Sequence, residues 1–421
     1  MESNYKPLGQ YIEPINIRNE HLEVDLLLGV SIKKCFIPSI ANTVGTDMSK
    51  YKIVKNKQFA YGPVTSRNGD KISIALLEDH HAAIVSSSYT VFEVTNHKEL
   101  DVEYLMMWFR RPEFDRYARF KSHGSTRETF NWDEMCEVEL PVPNIEDQRA
   151  IIKEYNTIVN RITLNEELNK KLEETAQTLY KHWFVDFEFP NENGQPYQSS
   201  GGEMVYNGGL DKEIPKNWEI GKFVDILFEL ESGKRPPGGV NKYTDGIPSI
   251  GAENIQGLGK YNFNANKFVP LSFFENMSKG IIKNYDVLLY KDGVGVGNKS
   301  MFGKNFPFSK CCINEHVFIL RTNEKISQSY LYFWLAQRWI IAELISASLN
   351  SAQQGLNQNN VNSIPILIPP PHLSNELDKI IIPLIDSIFS FSIDIKYLNQ
   401  IKEILLYKMS KLEMSDSAYI E

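Results

Sequence analysis

The feature that most constrains this chain is a long stretch without proline or glycine, residues 144–184. Apolar side chains recur there mostly at steps of three and four residues: Ile151, Tyr155, Ile158, Ile162, Leu172, Ala176, Leu179 and Trp183. This spacing predicts a long amphipathic helix whose apolar seam packs on another helix. The acidic pair Glu146-Asp147 favours the start of this helix, because a helix N-terminus stabilises negative charge.

A partner with the same pattern lies 226 residues further along the chain. The shifted positions are apolar except for one lysine: Leu377, Ile381, Leu384, Ile388, Leu398, Lys402, Leu405 and Met409. The first helix carries Asn165 and Asn169 where the second copy is apolar. We expect the first helix to turn Leu164 and Leu168 to its partner at that point instead.

The same offset relates motifs outside the helices. The matching pairs are Val91-Phe92 with Val317-Phe318, Tyr104-Leu105 with Tyr330-Leu331, Trp108 with Trp334, Pro143 with Pro369, and Gly69 with Gly295. An ordered set of matches at one long period is the mark of tandem duplication. The predicted fold class is α+β (mixed α/β), with two globular domains separated by two long antiparallel coiled-coil helices and an internal pseudo-twofold repeat.

Each globular half is expected to mix short strands with one helix ahead of the long helix. The predicted elements are strands at 52–54, 72–77, 83–94, 287–290 and 317–321, with helices at about 102–120 and 330–347. Residues 186–217 hold five glycines and three prolines with little periodicity, which predicts a linker or a loosely ordered loop.

Composition places the chain among ordinary globular proteins. Its 421 residues are 42% hydrophobic and 23% charged, which suits two or more domains with sizeable cores. The sequence has no run of 18 apolar residues and no basic-then-apolar segment near residue 1. Its four cysteines lack metal-binding spacing. These features predict a cytoplasmic protein with reduced thiols.

Charge is acidic overall and basic locally. The net charge of −8 argues against an independent nucleic-acid binder with a bulk basic footprint. Residues 110–127 nevertheless carry six basic against two acidic side chains, and residues 222–310 carry twelve against eight. Either group of basic residues could simply form solvated protein surface. Positive patches in both halves also fit a protein that touches DNA locally and shares the electrostatic work with a partner.

The sequence lacks the motifs of a DNA methyltransferase, of a phosphate-binding loop and of a zinc site. The chain lacks the glycine-rich cofactor loop and the Asn/Asp-Pro-Pro-aromatic tetrapeptide of a DNA methyltransferase. The run from Gly293 to Ser300 departs from a phosphate-binding loop, because Asn298 stands where that motif needs glycine. His80-His81 has no zinc-type partner spacing. The sequence therefore predicts no catalytic residue, no metal site and no cofactor of its own.

The arrangement resembles the specificity subunit of type I restriction-modification systems. The motifs that carry the resemblance are LPVPNIEDQRAII at 140–152, NEELNKKLEETAQTLYKHWFVDFEFP at 165–190, IPKNWEIGKFVDI at 214–226, GIPSIGAENI at 246–255 and DVLLYKDGVGVGNK at 286–299. Residues 1–140 are less similar. The second helix also departs, because Pro369-Pro370-Pro371 is followed by His372 to Glu376 rather than a Glu-Gln pair.

The resemblance implies a non-catalytic subunit with two target-recognition domains, each reading half of a split DNA sequence. It implies two methyltransferase subunits docked on the helices, which methylate adenine with S-adenosylmethionine, and motor-nuclease subunits that translocate and cleave DNA. The expected boundaries are 1–143 for the first recognition domain, 144–185 for the first spacer helix, 186–217 for the linker, 218–371 for the second recognition domain and 372–421 for the second spacer helix. The alternative is a coiled-coil scaffold that binds proteins and not DNA. Such a scaffold would not need the basic loops of the two globular domains.

Candidate DNA contacts are polar and basic residues on loops, because such side chains read base edges and hold phosphates. In the first half these are Thr65, Arg67, Asn68, Arg119, Lys121, Ser125, Thr126 and Arg127. In the second half, guided by the 226-residue offset, they are Lys234, Arg235, Lys291, Asn298, Lys299, Gln353, Gln354 and Asn357.

Helix length predicts the gap between the two DNA half-sites. The seam from Ile151 to Trp183 spans about 48 Å at ~1.5 Å per residue, or about 14 base pairs. Half-sites centred about 10–14 base pairs apart are expected. Removing one heptad from both helices should shorten the unread gap by about three base pairs, as measured by mapping the modified motif. An unchanged gap would contradict the prediction that helix length sets the distance between the half-sites.

Overall fold

A computed structural model describes residues 5–39, 45–66, 68–124, 127–350 and 355–409. The chain divides into two compact units, residues 1–161 with 398–421, and residues 162–397. Both long helices contribute to both units, since each helix passes from one range into the other. No helix in the described ranges is long and apolar enough to cross a membrane.

The first unit is a small α/β assembly. Its strands are β1 (Tyr5–Pro7), β2 (Ile12–Ile15), β3 (Leu28–Val30), β4 (Phe36–Pro38), β5 (Lys52–Lys55), β6 (Phe59–Tyr61), β7 (Ile74–Leu76), β8 (Ala82–Val85), β9 (Thr90–Val94) and β10 (Glu139–Pro141). Its helices are α1 (Val102–Phe109), α2 (Pro112–Lys121), α3 (Trp132–Cys136) and the first part of α4 (Ile145–Phe184). The largest sheet has the order β2-β9-β6-β7, and β1 pairs antiparallel with β10.

The second unit repeats this plan with insertions. Its strands are β11 (Met204–Asn207), β12 (Lys212–Pro215), β13 (Glu219–Lys222), β14 (Leu227–Ser232), β15 (Ile247–Ile250), β16 (Phe268–Val269), β17 (Asp286–Tyr290), β18 (Lys299–Phe302), β19 (Cys312–Ile313), β20 (Val317–Thr322) and β21 (Pro365–Ile368). Its helices are α5 (Phe223–Ile226), α6 (Leu271–Glu275), α7 (Gln328–Trp334), α8 (Arg338–Leu349), α9 (Gln358–Asn362) and most of α10 (Pro371–Lys408).

The internal repeat is confirmed element by element. The largest sheet of the second unit has the order β14-β20-β17-β18, and β13 pairs with β21. A hydrogen bond recurs as well: the Tyr104 hydroxyl donates to the Pro141 carbonyl at 3.1 Å, and the Tyr330 hydroxyl donates to the Leu367 carbonyl at 2.5 Å. Both tyrosines are buried, and each ties the helix after the sheet to the strand before the long helix.

The long helices pair within each unit. In the first unit, Ile152 and Tyr155 of α4 share a core with Leu406 of α10. In the second unit, Asn169 of α4 donates to the Ser392 hydroxyl of α10 at 3.1 Å. The start of α4 thus meets the end of α10, while later α4 residues meet earlier α10 residues. The two helices therefore run antiparallel, as predicted.

The polar layer of this helix pair corrects one prediction. Asn165 is fully buried, Leu164 is 46% exposed and Leu168 is half-buried, so the seam keeps Asn165 and does not shift to Leu164. Neither polar atom of the Asn165 amide has a hydrogen-bond partner among the described residues. A buried asparagine in a helix pair fixes register at a cost in stability, which explains why apolar periodicity alone missed it.

Replacing Asn165 by leucine should therefore raise the free energy of unfolding by about 1–3 kcal/mol, because an unsatisfied buried amide costs about that much. Urea-induced unfolding followed by circular dichroism measures the change. Asn169→Leu is the control, since it breaks the hydrogen bond to Ser392 and should bring no such gain. A destabilised Asn165→Leu variant would show that the amide is satisfied in solution.

Four further expectations differ from the structure. Residues 102–120 form two helices instead of one, since Pro112 lacks the N–H that would continue α1 and instead begins α2. The helix predicted at 330–347 is likewise divided into α7 and α8, and the strand predicted at 83–94 into β8 and β9. Residues 186–217 are not loosely ordered: they contain the β11–β12 hairpin and bury Phe187, Phe189 and Ile214 in the second unit's core.

Candidate nucleic-acid interface

Two loops meet in the first unit and bring together several of the residues predicted there. The Thr65 amide donates to the Glu128 carbonyl at 3.0 Å, and the Phe130 amide donates to the Pro63 carbonyl at 2.8 Å. These bonds join the turn after β6 to the chain after α2. We define the first loop surface as Asn68, Arg119, Lys121 and Arg127, whose side chains are exposed or half-buried.

The side chains of the first loop surface differ in their freedom. Arg119 pairs with Glu128, and the Lys121 Nζ lies 2.9 Å from the Glu137 carboxylate. Arg127 is exposed, and no ion pair of its guanidinium occurs among the described residues. Arg127 is therefore the cation on this surface with the greatest freedom to meet a phosphate.

Thr65 has a different role from the one expected. Its side chain is 2% exposed, and its hydroxyl lies 2.9 Å from the Ser122 hydroxyl and 3.2 Å from the Glu128 carbonyl. It joins the two loops from within and does not face solvent. The sequence could not reveal this, because a threonine before a turn looks the same whether it points inward or outward.

A second set of loops meets at the end of β17. The Leu356 amide donates to the Lys291 carbonyl at 2.8 Å, and the Lys291 amide donates to the His316 carbonyl at 3.2 Å. The Lys291 Nζ lies 3.4 Å from the Ser232 hydroxyl. We define the second loop surface by the predicted residues on these loops: Lys234, Arg235, Lys291, Asn298 and Asn357.

Local hydrogen bonds orient the second loop surface. The Asn357 side-chain oxygen accepts from the Asn360 amide at 2.9 Å, which caps α9. Asn357 is exposed, and its side-chain nitrogen donates to no group among the described residues. Arg235 pairs with Glu315 at 3.0 Å, whereas Lys234 and Asn298 are exposed. The surface thus offers a mixture of amide donors and cations, the groups that contact base edges and phosphates.

Lys299 is not part of that surface. Its Nζ lies over the Tyr332 ring, 5.2 Å from the centroid, and Glu173 of α4 is the nearby acid that acts on it. Burial lowers the pKa of Lys299 to about 8, because a desolvated ammonium loses its hydration. Lys299 is the first residue of β18 and turns its side chain inward, whereas Asn298 precedes the strand and is exposed.

The lowered pKa of Lys299 predicts a pH-dependent stability. Between pH 8 and about 10.4, the ordinary lysine value, the unfolded chain binds more protons than the folded chain, so this residue makes stability rise with pH. Lys299→Met should remove that rise and stabilise the protein at pH 7 by about 2–3 kcal/mol. Urea unfolding of both proteins at pH 7 and pH 10 measures the difference, and parallel pH profiles would contradict it.

Five predicted contacts cannot be placed. Arg67, Ser125, Thr126, Gln353 and Gln354 lie outside the described residues. The sequence also missed residues that the loops bring together, such as Ser232 and His316, which join the second loop surface through Lys291. Their separation along the chain left no local signal. Within the described ranges no group of three or more histidine, cysteine or acidic side chains is placed to hold a metal ion.

The geometry defines a class of protein. Two units share one sheet order, and in each a polar loop that follows an equivalent central strand, β6 or β17, meets other segments that carry amides and cations. This is the layout expected of a duplicated protein that recognises DNA with two similar surfaces.

Comparison with known proteins gives the family. The family model described as "Type I restriction modification DNA specificity domain" matches twice, over residues 33–174 and 215–406. The chain therefore belongs to the family of type I restriction-modification DNA specificity proteins. Two matched segments in one chain also agree with the repeat seen in the sheets and helices.

Named relatives agree with this family. The chain is 26% identical over 317 residues to the type I restriction enzyme MjaIX specificity subunit of Methanocaldococcus jannaschii, covering 73% of this chain and 68% of that one. It is 22% identical over 421 residues to the HindI specificity subunit of Haemophilus influenzae, covering 85% and 86%. The crystal structure of the type I system S subunit from M. genitalium shares the fold, with a TM-score of 0.58, 13% identity and coverage of 96% and 95%.

Proposed function

We propose that this chain is the non-catalytic DNA-specificity subunit of a type I restriction-modification complex and reads a bipartite target. Each recognition domain, 1–143 and 218–371, reads one half of the target with its own loop surface. The observation that carries the proposal is the repeat itself: the same four-strand sheet presents polar loops after β6 and after β17. Two similar readers in one chain suit two half-sites on one DNA.

The helices, 144–185 and 372–421, serve as the spacer and dock two methyltransferase subunits. Ile401 and Ile404 of α10 are 43% and 53% exposed, and such apolar side chains suit a protein partner. In the cytoplasm, these partners would methylate adenine with S-adenosylmethionine, and motor-nuclease subunits would add ATP-driven translocation and cleavage. Sharing the DNA with partners also suits a chain of net charge −8, because they would supply much of the phosphate binding.

Single-molecule mapping of methyladenine tests this function. DNA is compared from cells that express the partner methyltransferase with this chain and from cells that express the methyltransferase alone. We expect a new mark at a bipartite motif with a fixed gap only when this chain is present. Marks that do not depend on the chain, from a methyltransferase that is active and bound to it, would favour a scaffold role.

A further inference from the structure

An aromatic ring stands in solvent at the edge of the first loop surface. Phe120, in the last turn of α2, is 80% exposed, and no ring or cation contact involves it within the described ranges. Scattered exposed apolar residues are ordinary. This one is distinctive for its position, because Arg119 and Lys121 flank it directly in the first loop surface.

The ring is held on a rigid support. Arg119 and Lys121 pair with Glu128 and Glu137, so both neighbours of Phe120 are directed toward the unit. The following residue, Ser122, is buried and donates to the Ala118 carbonyl at 2.6 Å. These contacts leave little freedom for the helix end to fold the ring back onto the unit.

The chemistry of the site favours bases as the ligand of this ring. Burying a phenylalanine side chain favours association by roughly 10- to 150-fold, and an aromatic ring stacked on a base contributes about 5- to 150-fold. Arg116, one turn earlier on the same helix face, is 69% exposed and pairs only with the exposed Glu113 at 3.1 Å, so it can meet the phosphate backbone beside the ring. An apolar wedge beside cations is the arrangement that unstacks a base step in proteins that kink DNA.

We propose that Phe120 inserts between two adjacent base pairs of the first half-site and makes specificity depend on how easily that step unstacks. The inference rests on the proposed function, since it requires the first unit to face DNA. It adds a readout of deformability to the hydrogen bonds of Asn68 and Arg127. Pyrimidine–purine steps should be favoured at that position, because they unstack most easily.

The repeat places a polar residue at the position equivalent to Phe120. The 226-residue offset places α2 on α8, and it places Phe120 on Ser346, an exposed residue that cannot intercalate. The apolar side chains exposed at this end of α8, Ile345 and Leu349, lie at other positions, so the distortion caused by Phe120 belongs to the first half-site. Phe120→Ser gives the first unit the side chain that the second unit already carries.

Permanganate footprinting tests the proposal, because this reagent oxidises thymines that are unstacked. The probe is a duplex of about 40 base pairs that carries the mapped motif, bound by the complex of this chain with its methyltransferase subunits. We expect one reactive step in the first half-site with the wild-type chain and none there with Phe120→Ser, whose binding should be about 5- to 150-fold weaker. Footprints are compared at saturating protein, so that the loss of affinity does not itself remove the signal.

Phe228→Ser is the matched control. Phe228 is 73% exposed in β14 beside the acidic Glu229, away from the residues that form either loop surface, and its loss should leave footprint and affinity unchanged. Reactivity caused by the partner subunits would be common to all three proteins. A wild-type complex that binds the motif specifically, with a footprint that Phe120→Ser does not alter, would overturn the wedge alone. Equal binding to duplexes with and without the motif would overturn the proposed function.

Discussion

Replacing Arg321 by methionine is expected to lower the free energy of unfolding by about 3–5 kcal/mol. Arg321 lies on β20 with its side chain 11% exposed, and it holds three carboxylates at once. Its guanidinium lies 2.6 Å from Asp286, 2.5 Å from Glu229 and 2.9 Å from Glu231. Removing the cation leaves these acids without compensation, and burial already raises the pKa of Asp286. Urea unfolding followed by tryptophan fluorescence measures the loss.

Two observations separate this effect from ordinary surface electrostatics. Lys181→Met removes an exposed pair, 2.7 Å from Asp186, and should cost less than about 1 kcal/mol. The Arg321→Met loss should also be smaller at pH 4 than at pH 7, because protonating the orphaned carboxylates relieves the folded state. A loss no larger than that of Lys181→Met would contradict the buried network.

The double substitution Lys234→Ala and Lys291→Ala is expected to weaken DNA binding and to reduce its salt dependence. Each lysine that meets a phosphate contributes about 0.9 to the slope of log affinity against log salt concentration, so the slope should become shallower by about two. The reduction should be similar for the target duplex and for unrelated duplexes, since phosphate contacts carry no sequence information. Titration of the assembled complex with labelled DNA at several salt concentrations measures it.

Lys283→Ala is the matched control for this pair. Lys283 is exposed, but it precedes β17, whereas Lys291 follows the same strand. Five strand residues separate two such ends by about 17 Å. The control removes one charge and the pair removes two, so a control slope that changes by half as much would show that net charge, and not the second loop surface, sets the salt dependence.

The repeat could be predicted because it is recorded in local patterns. Helices α7, α8 and α9 begin 226 residues after α1, α2 and α3, as the offset of Trp108 and Trp334 indicates. Tertiary contacts could not be predicted in this way, because they join residues that share no local pattern. Asn165 remains in the seam although apolar periodicity favours Leu164, and a segment rich in glycine and proline packs through Phe187 and Phe189.

For the candidate sites, the sequence predicts which segments take part but not which way their side chains point. The turn after β6 and the chain after α2 both carry polar residues typical of DNA contacts, and the structure brings the two segments together. The direction of each side chain could not be predicted, because Thr65 bonds inward and Lys299 lies over Tyr332. Phe120 was missed because an apolar residue near a helix end is usually assigned to a core.

The most direct test of the central claim maps methyladenine for two paired variants. One combines Asn68→Ala with Arg127→Ala in the first unit, and the other combines Asn298→Ala with Asn357→Ala in the second. If each unit reads its own half-site, each variant should relax the sequence of one half of the motif, a different half in each case, and leave the gap unchanged. Relaxation of the same half by both variants, or of neither half, would contradict the account.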